Sequence, residues 1–262
     1  MATGIDLGIA GRVALVCGSS AGLGRGCARA LASAGALVVL NGRSEDRLLE
    51  AQSAIERESG TKLRYVVGDV TTPEGRHAAI AACPNPDILV NNAAGPTPGD
   101  FRNFDEASWH EAVSISMIAP IMLMRAVIDG MIERRWGRII NITSSAVKAP
   151  LPLLGLSNGA RSGLTGFVAG LAREVAPHGV TINNLLPGRF ATDRLQNYIR
   201  KVAEHDGIGV QAAAEKMVRA NPMGRFGAPD EFGAFCAFLA SQQAAYMTGQ
   251  NILLDGGEYP GL

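Results

Sequence analysis

The stretch Gly18-Ser19-Ser20-Ala21-Gly22-Leu23-Gly24 decides the fold, because it joins an apolar run, Arg12–Cys17, to a segment of helical spacing, Leu23–Ala34. Glycines at this spacing let the chain turn tightly and let backbone N–H groups approach a pyrophosphate. The helix that follows directs the positive end of its dipole at the same anion. The stretch therefore predicts a dinucleotide site, whose first residues are Gly18, Ser20, Gly22, Leu23 and Gly24.

Apolar runs and helical patterns alternate along the chain. The runs predict strands at Arg12–Cys17, Ala36–Leu40, Lys62–Val67, Asp87–Asn91, Arg138–Thr143, Val180–Leu186 and Asn251–Leu254. Helical spacing predicts helices at Leu23–Ala34, at 44–59 with Ser44 as N-cap, at Pro73–Cys83, at 106–134 with a bend at Pro120, and at Ser157–Ala176. This alternation is typical of a doubly wound parallel sheet. We expect one α/β, Rossmann-like domain over residues 1–262.

One segment, Ala191–Asn221, interrupts the alternation. It is long and polar, and its predicted helices are flanked by Gly207, Gly209 and Pro222. We interpret residues 191–221 as a helical lid over the substrate; the alternative is a surface excursion without function.

Composition excludes several classes of protein. Apolar residues make up 47% of the 262 residues, which is enough for a sizeable core, and the formal net charge is zero. No charge therefore draws the chain to nucleic acid or to a membrane surface. The four cysteines lack the spacing of a metal site or a disulfide framework, and we expect no metal. The N-terminus has no pattern of a signal peptide, so we expect a cytoplasmic protein.

The end of the second strand predicts the type of cofactor. It reads Asn41-Gly42-Arg43, without the carboxylate that usually accepts from the ribose 2′-hydroxyl of NAD. The guanidinium of Arg43 offers several donors to a 2′-phosphate instead. We therefore favour NADP(H) over NAD(H), with Arg25 as a second candidate and a solvated loop cation as the alternative for Arg43.

These motifs, taken in order, resemble those of the short-chain dehydrogenase/reductase family over about residues 10–257. Gly18-x-x-x-Gly22-x-Gly24 resembles the family's phosphate loop. Further landmarks are Asp69-Val70, which resembles the adenine contact, Asn91-Asn92-Ala93-Ala94, the turn Pro187-Gly188, and Thr192. The resemblance adds Asp69, Val70, Asn91, Ala93, Pro187, Gly188 and Thr192 to the expected cofactor residues. The branch that it indicates is that of the 3-oxoacyl-acyl-carrier-protein reductases.

The catalytic residues depart from the family pattern. Ser144 matches the family serine, but Ser157 stands where the family has tyrosine and Arg161 where it has lysine. Ser116 stands at the position of the assisting asparagine, and no tyrosine in the sequence has lysine four residues later. We expect Ser144, Ser157, Arg161 and Ser116 to form an atypical catalytic set, in which Ser157 either fills the space left by the missing tyrosine or acts as a nucleophile.

A serine hydroxyl is a poor acid and an arginine stays protonated, so proton transfer must be supplied differently. The loss of a placed acid costs about 10²–10⁴-fold in rate. Ser144, Ser157 and Arg161 can still polarise a carbonyl, with water or a lid residue giving the proton. For Arg161 the alternatives are the nicotinamide ribose, an anionic substrate group, or a structural role.

Two more cations lie near this predicted mouth. Arg189 follows Pro187-Gly188, and Lys148 lies four residues after Ser144. With Arg161 they predict a pocket for an anionic substrate such as a carboxylate. Tyr198, in the predicted lid, is a further candidate substrate residue, with ordinary packing as its alternative.

Three functions follow from this sequence. The first is an NADP(H)-dependent oxidoreductase that transfers hydride to or from a small carbonyl or hydroxyl substrate with a non-standard acid/base set. The second is a cofactor-binding pseudo-enzyme that acts as a sensor or scaffold, and the third is a non-redox lyase or isomerase. The helix around Met117 and Ile121 resembles the family's pairing helix, which implies a homotetramer; a core-facing stripe is the alternative.

Overall fold

The computed structural model describes residues 5–261, and within this range seven strands form one parallel sheet in the order β3-β2-β1-β4-β5-β6-β7. The strands are β1 Val13–Val16, β2 Leu37–Gly42, β3 Arg64–Val67, β4 Ile88–Asn91, β5 Gly137–Ile142, β6 Val180–Pro187 and β7 Asn251–Leu254. The order reverses between β1 and β4, which opens a crevice at the carboxyl ends of the strands. The expected single α/β domain with a doubly wound parallel sheet is confirmed.

Nine α-helices accompany the sheet in the described range. They are α1 Gly22–Ser33, α2 Glu45–Ser59, α3 Pro73–Ala82, α4 Glu106–Val113, α5 Ala119–Glu133, α6 Gly155–Val175, α7 Asp193–Asp206, α8 Val210–Ala220 and α9 Pro229–Ala240. The predicted cap of α2 is confirmed, because the side chain of Ser44 accepts from the backbone N–H of Arg47. Helix α9 was not predicted, since it is apolar around its circumference and shows no amphipathic pattern.

The continuous helix predicted over 106–134 is wrong in its middle. A π-helical turn, Ser114–Ile118, separates α4 from α5, and the N–H of Ala119 bonds to the carbonyl of Ser114, five residues earlier. Pro120 has no N–H to offer the carbonyl of Ser116, so a regular α-helix would leave that carbonyl without its donor. The turn carries Ser116 into the protein interior.

Two apolar layers cover the sheet. Helices α1 and α9 pack on one face, where Leu31, Phe232 and Leu239 are buried, and α5 and α6 pack on the other face. The span Glu106–Glu133 is long and apolar enough to cross a membrane by length and composition alone. However, its residues Leu123, Met124 and Met131 are buried in the second layer, as in the core helix of a globular domain.

Helices α7 and α8 form a third, smaller unit. They share a cluster of their own, which consists of Leu195, Ile199, Ala203, Ala213 and Met217. Gly207 ends α7 in the left-handed conformation and Gly209 is the N-cap of α8, so the two glycines flank the helices as the sequence predicted. The pair begins at the carboxyl edge of the sheet, next to the crevice.

Candidate active site

The turn between β1 and α1 has the geometry of an anion site. Gly18 and Gly22 both have φ of +56°, in the left-handed region, and a Cβ on Gly24 would overlap the carbonyl oxygen of Gly18. Helix α1 begins after Ala21 without any side-chain cap. The first N–H groups of α1 are therefore free to bind a phosphate.

Arg43 lies at the end of β2, on the rim of the same crevice. Its side chain is 71% exposed, and its Nη1 lies 3.8 Å from a carboxylate oxygen of Asp69, which follows β3. Asp69 also accepts from the backbone N–H and the hydroxyl of Thr71. Arg25, the second candidate, pairs with Glu50 at 3.6 Å. Arg43 is thus an exposed cation on a weak tether, available to a further anion.

A row of asparagine carboxamides crosses four strands beneath the crevice. Asn91 donates to Asn141 at 2.8 Å, Asn141 donates to Asn184 at 3.1 Å, and Asn184 donates to Asn251 at 2.8 Å. We call these four residues the asparagine ladder. The carboxamide of Asn91 is therefore bonded within the sheet, and its Oδ1 has no partner among the described residues. Sequence reasoning missed the ladder, although one asparagine on each of four strands was a visible signal.

A small cavity of about 20 Å³ adjoins the free end of the ladder. It is lined by Val70, Asn91, Ser116 and Arg161, with apolar neighbours. The hydroxyl of Ser116 is buried and has no partner within residues 5–261. The volume and the two unpartnered polar atoms suit one water molecule.

Ser144, Ser157 and Arg161 meet at the carboxyl edge of the sheet. Ser144 follows β5, and Ser157 and Arg161 lie in the first turns of α6. Arg161 is 8% exposed; its Nε donates to Ser157 Oγ at 3.1 Å, and its Nη1 donates to the carbonyls of Ile142 and Thr143 at 2.8 Å each. Ser144 Oγ accepts from the N–H of Ala146 at 3.2 Å. Both hydroxyls act as acceptors within the protein, so their protons remain available to a ligand.

One large cleft of about 830 Å³ collects most of the predicted residues. The predicted residues that line this cleft are Leu23, Arg43, Ala93, Ser144, Ser157, Arg161, Pro187, Gly188, Arg189, Thr192 and Tyr198. Ser116, Val70 and Asn91 line the small cavity instead, and Lys148 lines neither space. The ammonium of Lys148 lies 6.0 Å from the centre of the Tyr259 ring.

The Pro187-Gly188 turn and Thr192 place α7 beside the phosphate loop. The hydroxyl of Thr192 caps α7 by accepting from the N–H of Leu195 at 3.3 Å, and its methyl lies 3.4 Å from the position of a Cβ on Gly22. A Cβ on Gly188 would stand 2.6 Å from the side chain of Asp255. The phosphate loop and the start of α7 are therefore the two lips of one cleft.

Arg189 and Tyr198 lie on the α7 side of the cleft. Arg189 Nη1 lies 2.6 Å from a carboxylate oxygen of Glu258 without the alignment of a hydrogen bond, and Arg189 Nε has no partner among the described residues. Tyr198 Oη approaches the carbonyl of Pro152 at 3.5 Å. Burial raises the pKa of Tyr198, and the guanidinium of Arg189 offsets part of this rise.

Arg194 is a cleft residue that sequence reasoning missed. Its Nη1 donates to the carbonyl of Gly95 at 3.1 Å, so it connects α7 to the loop after β4. Burial lowers the pKa of Arg161 to about 9, and the neighbouring charge of Arg194 contributes to this decrease. Two guanidinium groups therefore face one another in the cleft, and both remain protonated at neutral pH.

Comparison with known proteins places this geometry in context. The family model described as enoyl-(acyl carrier protein) reductase matches residues 18–258. The 3-oxoacyl-[acyl-carrier-protein] reductase of Aquifex aeolicus is 31% identical over 97% of this chain and 100% of its own length. An NADPH-dependent reductase of Bacillus subtilis is 30% identical over 94% of this chain and 97% of its own. The L-sorbose reductase of Gluconobacter frateurii, solved with NADPH and L-sorbose, superposes with a TM-score of 0.91 at 30% identity, over 98% of this chain and 100% of that one.

Proposed function

Because the chain belongs to the short-chain dehydrogenase/reductase family, we propose that it is an NADP(H)-dependent oxidoreductase with an atypical catalytic set. Its substrate is a small carbonyl compound in one direction and the corresponding alcohol in the other. The observation that carries the proposal is the uncapped start of α1 above a close-packed glycine turn, which opens into a cleft large enough for cofactor and substrate.

The residues of the cleft fit NADP(H). The free N–H groups of α1 receive the pyrophosphate, and Arg43 receives the 2′-phosphate, with its tether to Asp69 replaced by the stronger anion. Asp69 and Val70 would lie at the adenine end of the cofactor. Its nicotinamide end would be surrounded by Asn91, Ala93, Pro187, Gly188 and Thr192. Ser19 holds the loop against the end of β2 through hydrogen bonds with Asn41, which leaves Ser20 as a proposed contact for the phosphates. The bound nicotinamide supplies or accepts the hydride.

Ser144 and Ser157 polarise the substrate oxygen. Each hydroxyl accepts one bond within the protein and donates its proton into the cleft. Arg161 fixes Ser157 from one side and carries a positive charge toward the negative charge that develops on the oxygen. One N–H of Arg161 Nη2 would hold the nicotinamide ribose, so this residue would serve both the cofactor and the chemistry. Ser116 acts from below by holding a water molecule in the small cavity.

Tyr198 supplies the proton. Among the cleft-lining residues that the structure describes, it carries the one phenol, and a phenol is protonated at neutral pH. Burial raises the pKa of Tyr198, which makes it a weaker acid than a solvated phenol. A phenol is a far stronger acid than the alkoxide's own conjugate alcohol, so transfer from Tyr198 to the substrate oxygen is downhill. Arg189 then stabilises the phenolate before solvent restores the proton.

We also propose roles for the lid segment, for two further cations and for the assembly of the enzyme. Residues 191–221, which contain α7 and α8, close over the substrate as a lid. Arg189 lies on the substrate side, although it is already paired with Glu258, whereas Lys148 lines neither the cleft nor the small cavity and reaches the substrate only through movement of its side chain. The enzyme acts in the cytoplasm as a homotetramer, without nucleic-acid or membrane partners.

The first experiment is a titration of the purified protein with NADPH and with NADH. We expect NADPH to bind at least about tenfold more tightly, because a charge-assisted 2′-phosphate contact is worth about 1.5–3 kcal/mol. Arg43→Ala abolishes that preference. Arg57→Ala removes the same charge from the exposed far end of α2 and leaves the preference unchanged. Equal affinity for the two nucleotides, or a preference that survives in Arg43→Ala, contradicts the cofactor assignment.

A further inference from the structure

The basic side chains that line the large cleft differ in their acidic partners. They are Arg43, Arg161, Arg189, Arg194, Arg200 and Lys201. Three of them lie within 4.0 Å of a carboxylate: Arg43 of Asp69, Arg189 of Glu258, and Lys201 of Glu204. Within residues 5–261, no carboxylate lies at that distance from Arg161, Arg194 or Arg200. The cleft therefore holds positive charge that the chain itself does not neutralise.

Arg161 is the deepest of these cations. Its Nε and Nη1 bond to a hydroxyl and two carbonyls, which solvate the charge without cancelling it. A buried guanidinium without a counter-ion is costly, and proteins retain such groups where an anion completes the site. Its Nη2 makes no hydrogen bond to any described residue and remains free.

Arg161 and Arg194 converge on one point of the cleft wall, at Gly95. The position of a Cβ on Gly95 lies 2.5 Å from Arg194 Nη2 and 3.0 Å from Arg161 Nη2, so the two nitrogen atoms are at most 5.5 Å apart. An oxygen atom between nitrogen atoms at this spacing can be within about 2.8 Å of both, the usual length of a charge-assisted hydrogen bond. Any larger residue at position 95 would push the two groups apart.

We propose that Arg161 and Arg194 form an anion site that binds the carboxylate of the substrate. The inference rests on the proposed function and names its substrate class: short 2- or 3-oxo acids and the corresponding hydroxy acids. The second N–H of Arg161 Nη2 remains for the nicotinamide ribose.

Arg161 also sets the distance between the carboxylate and the carbonyl group of the substrate. One guanidinium group holds Ser157 through Nε and faces the anion through Nη2. Since Ser157 polarises the carbonyl in the proposed reaction, the carboxylate must lie one or two carbon atoms from that carbonyl. Pro96, Leu151 and Leu154 also line the cleft, so the rest of the substrate is small and apolar.

The cofactor is a second source of the same chemistry, because its phosphates are also anions. The experiment therefore measures substrate analogues and cofactor separately. The probes are two acid and amide pairs of matched shape that mimic 2- and 3-oxo acids: oxamate with oxamide, and malonamate with malonamide. None of them accepts a hydride, so binding is observed without turnover.

Each probe is titrated calorimetrically into protein saturated with NADP⁺. We expect at least one acid to bind about tenfold or more tightly than its amide, since hydrogen bonds to charged groups are worth about 1.5–3 kcal/mol. Arg194→Met removes the preference, and Arg194→Lys retains part of it because a single ammonium lacks the fork of donors. Arg200→Met is the matched control: Arg200 lies on the same helix and lines the same cleft, but it bonds to Asn197. This control keeps the preference.

The outcomes separate this inference from the proposed function. No acid preference in either pair, or a preference that Arg194→Met leaves intact, overturns the anion site. A loss of NADPH affinity in Arg194→Met without any acid preference assigns the cation pair to the cofactor and also overturns it. An acid preference in a protein that turns over no carbonyl compound supports the anion site and contradicts the oxidoreductase.

Discussion

Ser157 and Arg161, which stand where the family resemblance implies a phenol and an ammonium, are joined by a hydrogen bond in the structure. Arg161 Nε donates to Ser157 Oγ at 3.1 Å, while Nη1 anchors the group on two backbone carbonyls. The pair has the rigid, hydrogen-bonded form of a site that stabilises developing charge. The proton must then come from another residue.

Ser157→Ala tests the role of this hydroxyl. We expect kcat to fall about tenfold or more, because a donor to the developing oxyanion is lost, while NADPH affinity changes little since Arg161 keeps both carbonyl bonds. Steady-state kinetics with parallel NADPH titration measure both effects. Ser162→Ala, on the exposed side of α6, is the control. An unchanged kcat in Ser157→Ala would exclude Ser157 from the chemistry.

The ionisation of Arg161 sets a pH limit on acid binding. Its pKa is lowered to about 9, first by burial and then by the charge of Arg194. Below this pH the guanidinium is protonated and attracts the carboxylate; above it the charge is lost, so the oxamate-to-oxamide preference decreases as the pH rises through about 9. Titration calorimetry at several pH values measures it. A preference that stays constant well above that pH would place the bound anion elsewhere.

Single positions also show where sequence reasoning stops. Arg43, Ser144, Ser157 and Arg161 were predicted because each follows a strand or a fixed spacing in a recognisable motif. Arg194 was not, because its role depends on how α7 lies against the loop at Gly95. That contact is tertiary, and no local pattern encodes it.

Among the elements, β4 to β7 are connected by side chains as well as by backbone. The asparagine ladder follows the strand register, in which Asn91 is opposite Asn141, Asn141 opposite Asn184, and Asn184 opposite Asn251. The ladder gives the carboxyl edge of the sheet a rigid polar floor, above which the proposed catalytic residues lie.

Asn141→Leu breaks the ladder in its middle. It leaves the side-chain oxygen of Asn184 buried without a partner and the amide of Asn91 with only the carbonyl of Pro120 at 3.5 Å, and an orphaned buried group costs about 1–3 kcal/mol. We expect the midpoint of thermal unfolding to fall by at least about 5 °C, which calorimetry measures. Asn197→Leu, an exposed substitution on α7, changes it little. A similar small change in Asn141→Leu would mean that the ladder contributes no stability.

The predicted elements fail where tertiary packing overrides local pattern. Helix α9 lacks an amphipathic stripe because it is enclosed by α1 and the sheet, and Gly26 and Gly233 let the two helix backbones touch. The π-helical turn follows from Pro120, which the sequence interpretation treated as a bend. By contrast, Asn251–Leu254 was predicted with its observed bounds, because turn residues delimit it on both sides.

On the scale of the whole molecule, positive charge is concentrated in the cleft although the chain as a whole is neutral. The formal net charge is zero, yet six basic side chains and three acidic ones, Asp193, Glu204 and Glu258, line the cleft. Such a field concentrates anionic ligands at the cleft without attracting polyanions to the rest of the surface. The NADP(H) phosphates and the proposed carboxylate both match it.

A substitution on the outer surface of the helical layer tests the expected tetramer. Trp109, Ile118 and Phe167 are large apolar side chains that are 37–40% exposed on α4, the π-helical turn and α6. We expect a homotetramer in sedimentation analysis, because pairing across a two-fold axis would bury this face. Phe167→Asp shifts the protein toward smaller species, whereas Arg173→Asp, an exposed change later in α6, does not. A monomer at all concentrations would contradict this prediction.

The most direct test of the central claim follows the hydride itself. The protein is incubated with NADPH that is deuterated at the transferring C4 position and with pyruvate, 2-oxobutyrate and acetoacetate, and the products are analysed by mass spectrometry. The account predicts deuterium on the carbinol carbon of at least one hydroxy acid, with incorporation lost in Ser144→Ala. NADPH that binds tightly but transfers no deuterium to any of the three would contradict it and indicate a cofactor-binding protein without redox activity.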